Sequence, residues 1–450
     1  MSMNYIDKLQ NVSVLGAAGK MGSGILLLTA VEMADLQLKP ENHSKNFALN
    51  AIDVSPAALT GLYKYLKTQL VKIAEKKIIQ LRSVYKENKN LIENGEIINQ
   101  YIDDVLKIIH TSTSIESAYN SDLIFEAVIE NPDLKVKLIK QILANNQNDP
   151  WFFTNTSSVP INELDSKAKI NGKILGFHFY NPPAIQKLVE LIVSDNTNEE
   201  LIVFAAEYAK KLKKTVIPSN DKSGFIGNGH FMRDILFGIK QAESLMDKMS
   251  FTEAIYAVNK VSQDFMIRPM GIFQLMDYVG LDVCQKIMSV MQPRLNDPEL
   301  KSELIDKLNS LGIKGGQNSD GSQKNGVLSY QNGKPIAIYN IEKQEYINID
   351  DFKDDIDKLL GSLPASYKPW KSIIRNKAKE EILEKYFNEL KGLKTLGSNL
   401  TQEYIINSKD IGLKLVADGV TEKEERVNTV MLMGFFHAYG PINNFFNNNI

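Results

Sequence analysis

The chain has one cysteine in 450 residues, Cys284. A lone thiol excludes an intramolecular disulfide and any cysteine-built zinc or iron–sulfur cage. Charge of one sign is not in excess either: 52 Lys and Arg against 54 Asp and Glu leave a net charge of −2. That balance gives no whole-chain attraction for nucleic acid or an anionic membrane, and neither is expected as a partner. Long apolar runs are missing too. The longest early one, residues 25–31, falls far short of the roughly 20 residues that cross a bilayer. The polar residues 1–10 have no signal-peptide core, so a cytoplasmic location is expected. His43, His110, His230 and His437 have no second ligand at metal spacing, and no metal site is expected. What is present, 43% hydrophobic and 24% charged residues, is an ordinary globular composition that excludes a disordered or collagen-like chain. The length suits roughly three domains.

Strand and helix signals alternate in the first half. Residues 11–15 (NVSVL) are β-rich and run into Gly16, and a helical pattern follows from Ser23. A polar stretch, residues 37–45, precedes a second strand at 47–52 that ends at Asp53. Ser55 and Pro56 suit the cap and first turn of a helix, and a Lys-rich helical region is expected to continue toward Ile108. Residues 122–128, 151–154 and 174–180 read as further buried strands. Strands separated by helices predict an α/β fold with a doubly wound, mostly parallel sheet. After about Lys222 the strand signals thin and the remainder reads as helical. It is interrupted by a Gly-rich loop at 315–326 and a small hairpin turning at Asn332-Gly333. Residues 254–280 and 422–446 look alike, with Gly271 and Gly440 in register, which is compatible with a duplication or with chance.

Gly16, Gly19, Lys20, Met21 and Gly22 lie between the first strand and the first helix. Glycines there let the chain turn tightly and let a pyrophosphate approach bare backbone at a helix N-terminus. The spacing is GxxGxxG, one residue longer than the usual GxGxxG, and the same residues suit an ordinary strand–helix turn. Asp53 stands where an acidic residue binds the adenosine ribose, later than usual because of the polar 37–45 stretch. A carboxylate there repels a 2′-phosphate and favours NAD over NADP. The other reading of Asp53 is a helix cap.

His178 ends a strand, in GFHFYNPP, and Glu190 follows twelve residues on, in KLVELI. An imidazole titrates near neutral pH and can take the proton of a secondary alcohol while a hydride leaves to nicotinamide. A carboxylate on its far nitrogen fixes the tautomer. An isolated histidine in that position is also read as a satisfied core residue. Asn155, Thr156, Ser157 and Ser158 follow a strand and supply an amide and hydroxyls at the edge where ligands of open α/β sheets bind. Asn181 follows His178 by three residues, and Asn228 opens the helical region in SGFIGN.

Six segments in order resemble the L-3-hydroxyacyl-CoA dehydrogenase family of fatty-acid β-oxidation: GAAGKMGSGI, DLIFEAVIEN, NTSSVPI, GFHFYNPPAIQKLVELI, KSGFIGNGHF and RPMGIFQLMDYVG. They cover about residues 11 to 290. The resemblance implies an NAD cofactor and an (S)-3-hydroxyacyl-CoA substrate oxidised to the 3-oxo compound, or the reverse. By position it implies His178 as catalytic base with Glu190 orienting it. Ser157, Asn228 and Asn181, the asparagine after the histidine, meet the substrate. Glu130 and Lys137, in ENPDLKVK, line the cofactor site together with Asn155. Lys76 meets the coenzyme A phosphates, although Gln69 replaces a serine of that pattern; after Asn228, where the family often has an arginine, stands Gly229. The segment VADGVTEKEERVNTVMLMGFFHAYGPINNF resembles a second copy of the family's helical domain, as in the multifunctional β-oxidation chains.

The expected layout is a NAD-binding Rossmann domain at 1–218 and a first helical domain at 219–314. A loop and hairpin linker at 315–349 precedes a second, divergent helical domain at 350–450. No hydratase half is expected ahead of Gly16. A monomer or homodimer is expected, working beside a separate enoyl-CoA hydratase or thiolase. Two other functions fit the same residues: a sister dehydrogenase acting on a free 3-hydroxy acid or a sugar acid, and a non-catalytic NAD-binding or structural protein.

Overall fold

Among the described residues of the first 221, eight strands are joined by helices except between the sixth and seventh: β1 (Asn11–Leu15), β2 (Ala48–Ile52), β3 (Ile109–Ser112), β4 (Leu123–Glu126), β5 (Trp151–Thr154), β6 (Ile174–Phe179), β7 (Leu188–Val193) and β8 (Thr215–Asn220). The computed structural model describes residues 5–318 and 321–446. The chain divides into two units, Met1–Asp221 and Lys222–Ile450. In the first, the eight strands form one sheet in the order β3-β2-β1-β4-β5-β6-β7-β8. The pairs from β3 to β6 are parallel, so their carboxyl ends share one edge. β7 runs antiparallel to β6, and β8 is parallel to β7. β4, β5 and β6 are buried along their whole length. Helices cover both faces of such strands, so their sequences read as apolar runs without alternation.

Helix ends follow local chemistry. Pro56 is at the first turn of the Pro56–Val84 helix, and the Ser55 hydroxyl accepts from the Ala58 N–H at 3.2 Å. The Lys-rich stretch expected to run unbroken toward Ile108 is instead two helices. The first ends at Val84, and a second, Asn94–Lys107, starts from a capping box between Glu93 and Glu96. The box supplies the free N–H groups of a new helix start with acceptors, which favours a break there. The two helices are tied together where Lys77 contacts Asp35 and the Tyr101 hydroxyl. No helix among the described residues is long and apolar enough to cross a membrane.

The second unit is mostly helical. Its helices include Gly227–Leu245, Phe251–Lys260, Ile272–Val279, Leu281–Leu295 and Leu396–Ala417. The expected hairpin is present as β9 (Leu328–Gln331) and β10 (Lys334–Asn340), and β11 (Glu345–Asn348) adds a third antiparallel strand. Asn332 and Gly333 both have positive φ, at 51° and 75°, as a two-residue hairpin turn requires. One apolar core draws residues from Phe231 to Phe446. The Leu396–Ala417 helix packs along Gly227–Leu245, where Tyr404 donates to the Asp234 carbonyl at 3.0 Å and Gln241 donates to the Leu400 carbonyl at 2.9 Å. Gly271 and Gly440 have the same surroundings. A Cβ on either would lie 2.3 Å from an asparagine Oδ1, of Asn259 and of Asn428 respectively. Each glycine follows its asparagine by twelve residues.

Asp277 holds the Gly-rich loop to this unit. Its carboxylate accepts from the Val327 N–H at 2.7 Å, the Leu328 N–H at 2.8 Å and the Tyr330 hydroxyl at 2.8 Å. Burial raises its pKa to about 7, against the lowering effect of those donors. A raised carboxyl pKa stabilises the fold at low pH, and that contribution is lost as pH climbs from the unfolded value of 3.8 through about 7. The wild-type stability minus that of Asp277→Asn is therefore expected to fall between pH 4 and pH 8, on the order of 4 kcal/mol. Thermal unfolding of both proteins across that range measures it, and a constant difference would contradict the assignment.

Candidate functional site

Past β1 the backbone turns at Gly16, with φ of 74°. The N–H groups of Gly16 and Ala17 both donate to the Ile52 carbonyl, at 2.9 and 3.0 Å. A Cβ on Gly16 would lie 2.6 Å from the Ala127 carbonyl, and one on Gly22 would lie 2.0 Å from the Gly16 carbonyl. The loop thus presses on the end of β4. That is the crevice between β1 and β4, where the strand order reverses and open α/β sheets bind ligands. Gly19 and Lys20 are exposed on the loop, and Met21 precedes the first turn of the Gly22–Gln37 helix.

Asp53 sits at the carboxyl end of β2 and braces this loop. Its Oδ2 accepts from the Ala18 N–H at 3.1 Å and its Oδ1 from the Ser55 N–H at 3.2 Å. The cap of the following helix is Ser55, so Asp53 is not that cap. Val54 and Ile129 follow β2 and β4 on the same edge and are 92% and 72% exposed. Sequence reasoning passed over both; the available signal was an apolar residue standing just beyond a strand end.

Two glutamates and one lysine organise the ends of β4 and β5. Lys135 is fully buried and donates to both oxygens of Glu126 at 2.8 Å, and it lies 3.3 Å from Glu130 Oε2. Glu126 also accepts from the Thr154 hydroxyl at 2.6 Å. Glu130 Oε1 accepts from the Thr156 hydroxyl at 2.6 Å, from the N–H groups of Ser157 and Ser158 at 2.9 Å each, and from the Ser158 hydroxyl at 2.8 Å. Burial alone would raise the Glu130 pKa, but the Lys135 ammonium and these donors outweigh it and hold it at about 2. The Ser157 hydroxyl lies 3.3 Å from the same oxygen.

Lys137, expected beside Glu130, is instead exposed, and Lys135 takes that place. The reason is helical phase. Asn131 caps the Pro132–Asn145 helix, and its buried face is Lys135, Ile139 and Ile142. Lys137 is two residues on and points roughly 200° away around the helix. The apolar spacing to Ile139 and Ile142 would have identified Lys135.

His178 and Glu190 are directly opposite each other across the antiparallel β6–β7 pair. Both are buried, 8% and 0% exposed. His178 Nδ1 is 3.0 Å from Glu190 Oε2. The same oxygen accepts from the Tyr180 hydroxyl at 3.1 Å, and burial together with Glu190 pushes that phenol well above its ordinary pKa. Tyr180 was overlooked in the sequence, although alternation along an extended segment puts residues 178 and 180 on one face. Asn155 Oδ1 accepts from the Phe179 N–H at 2.9 Å, which ties the end of β5 to β6. The loop that begins at Asn181 is anchored by Lys214, whose Nζ donates to the Pro183 and Gln186 carbonyls at 2.5 Å each. Burial lowers the Lys214 pKa to about 8.

The carboxyl edge of the first unit therefore gathers the glycine loop, Asp53, Glu130, Asn155, Ser157, His178 and Asn181. Lys76 is exposed on the Pro56–Val84 helix, and Asn228 lies in the first turn of Gly227–Leu245 in the second unit.

Replacing Lys135 leaves two carboxylates without their buried partner. Lys135→Met is expected to cost ~3–5 kcal/mol of stability, and Lys137→Met less than about 0.5 kcal/mol, by denaturant unfolding at neutral pH. Equal effects would contradict the assignment. In the wild type, the contribution of Glu130 is full above its ordinary pKa of 4.5 and is lost as pH falls through about 2.

With this geometry in place, comparison with known proteins identifies the family. Residues 11–222 match the family model "3-hydroxyacyl-CoA dehydrogenase, NAD binding domain", and residues 252–325 match "3-hydroxyacyl-CoA dehydrogenase, C-terminal domain". A probable 3-hydroxybutyryl-CoA dehydrogenase of Deinococcus radiodurans is 33% identical over 242 residues, 54% of this chain and 84% of that protein. Its Bacillus subtilis namesake is 30% identical over 295 residues, 65% of this chain and 89% of that protein. The crystal structure of 3-hydroxybutyryl-CoA dehydrogenase from Escherichia coli K12 shares the fold, with a TM-score of 0.62 and 20% identity over 96% of this chain and 90% of that one. The chain belongs to the 3-hydroxyacyl-CoA dehydrogenase family of oxidoreductases, and its first unit is the NAD-binding domain.

Proposed function

We propose that the chain interconverts (S)-3-hydroxyacyl-CoA and 3-oxoacyl-CoA, with His178 as the general base. The observation that carries this reading is the buried contact of His178 Nδ1 with Glu190 at 3.0 Å. A carboxylate at Nδ1 keeps the neutral ring's proton on that nitrogen and leaves the Nε2 lone pair for the substrate. His178 then takes the C3 hydroxyl proton, and the Glu190 charge stabilises the imidazolium. The C3–H bond breaks with its electron pair as the C3–O bond becomes a carbonyl. NAD, when bound, supplies the acceptor for that hydride.

The cradle fits NAD. Gly16 and Gly22 leave backbone where a pyrophosphate approaches, at a helix N-terminus. Asp53 offers a carboxylate to the adenosine ribose, and Val54 and Ile129 give apolar walls for adenine. Glu130 and Lys135 set the loop carrying Asn155 and Ser157, and Ser157 steadies the reacting oxygen. Asn181 keeps the substrate contact that the resemblance implies, and Lys76 the contact with coenzyme A phosphate. The relatives named 3-hydroxybutyryl-CoA dehydrogenase favour a coenzyme A thioester over a free acid.

We also read the second unit as a duplicated helical domain, which the matched Asn259–Gly271 and Asn428–Gly440 pairs support. A chain that carries both copies is expected to sediment as a monomer.

NADH formation from 3-hydroxyacyl-CoA and from the free 3-hydroxy acid, in wild type and His178→Ala, tests the reaction. The thioester is expected to be preferred, and the variant to lose on the order of 10²–10⁴ in rate. Equal rates for the two proteins would remove the mechanism.

A further inference from the structure

Glu190 directs two donors onto one oxygen. His178 Nδ1 and the Tyr180 hydroxyl both meet Oε2, at 3.0 and 3.1 Å, and the two donor rings have centroids 5.1 Å apart. The group is made by strand geometry. The β6–β7 register sets Glu190 opposite His178, and Tyr180 follows two residues later on the same side of the extended chain.

We propose that Tyr180 is a positioning residue for the reaction, holding the Glu190 carboxylate in place and weakening its pull on the His178 imidazolium. This rests on the reading of His178 as general base. The physical argument is competition for one acceptor. A charge-assisted hydrogen bond draws electron density from the carboxylate oxygen. An oxygen that already accepts from a phenol stabilises a neighbouring cation less than an unshared carboxylate does. The phenol stays a neutral donor throughout the working range, because burial and Glu190 both oppose its ionisation. The bond also fixes the carboxylate orientation, so the ring nitrogen facing the substrate keeps its aim.

β8 places Ile217 beside Glu190. Lys214 lies over the ring of Phe179, which alternation puts on the opposite face from His178, and it is engaged by two carbonyls. The Glu130–Lys135 pair lies beyond the end of the neighbouring β5. Glu190 meets the imidazole by a hydrogen bond and Tyr180 by ring contact, and Tyr180→Phe removes one oxygen while keeping the ring.

The test is the pH profile of kcat/KM for wild type and Tyr180→Phe, with NMR titration of the His178 ring in both proteins. The acid limb and the ring pKa are expected to move up together, by roughly half a unit to one unit, with a smaller loss of kcat than in His178→Ala. Glu190→Gln is expected to move the ring pKa the other way. An unmoved limb together with an unmoved ring pKa in Tyr180→Phe would overturn the role of Tyr180, even if kcat fell, because a packing defect alone lowers the rate without shifting a titration. The base assignment fails separately, if His178→Ala stays fully active.

Discussion

The pairing of β6 with β7 is the constraint on which the candidate chemistry depends. β7 reverses direction against an otherwise parallel neighbour, and only an antiparallel register brings residues twelve apart directly opposite each other over so short a connection. It places an imidazole and a carboxylate on one face, 3.0 Å apart. Shifting the register by a single residue would turn every side chain of β7 to the other face of the sheet. The buried flanks of both strands, Phe177 and Phe179 against Val189 and Leu191, oppose that slip with apolar packing.

A second buried charge group does comparable work at β4 and β5. Lys135 is surrounded by two carboxylates, and Glu130 in turn gathers the backbone and hydroxyls of residues 156–158. Taken singly these ionised groups would be costly to bury. Together each supplies the partner that the others need. The consequence is a loop after β5 that is set before any ligand arrives, next to an imidazole set by β7. Preorganised groups of this kind lower a barrier without reorganising during the reaction.

Much of this was legible in the sequence, and the exceptions have physical causes. The glycine loop was readable because sterics at Gly16 and Gly22 admit no side chain, and β5 and β6 were readable as apolar runs buried on both faces. β3 and β8 were not, because IHTS and TVIPSN leave exposed and polar residues in the strand. β7 was hidden by the buried Glu190 within LVELIV, the residue that makes the strand matter. The family resemblance of ENPDLKVK pointed to Lys137 despite two inserted residues, whereas the structure follows the phase of the helix and buries Lys135. Tyr180 carried no motif of its own. Its contact exists only once β6 and β7 pair.

The central claim is that Glu190 sets the protonation pattern of His178, and nitrogen NMR of histidine-labelled protein reads that pattern directly. The account predicts that the neutral His178 ring carries its proton on Nδ1 and leaves Nε2 bare, and that Glu190→Gln abolishes this preference. A wild-type ring protonated on Nε2, or a tautomer indifferent to Glu190→Gln, would contradict it.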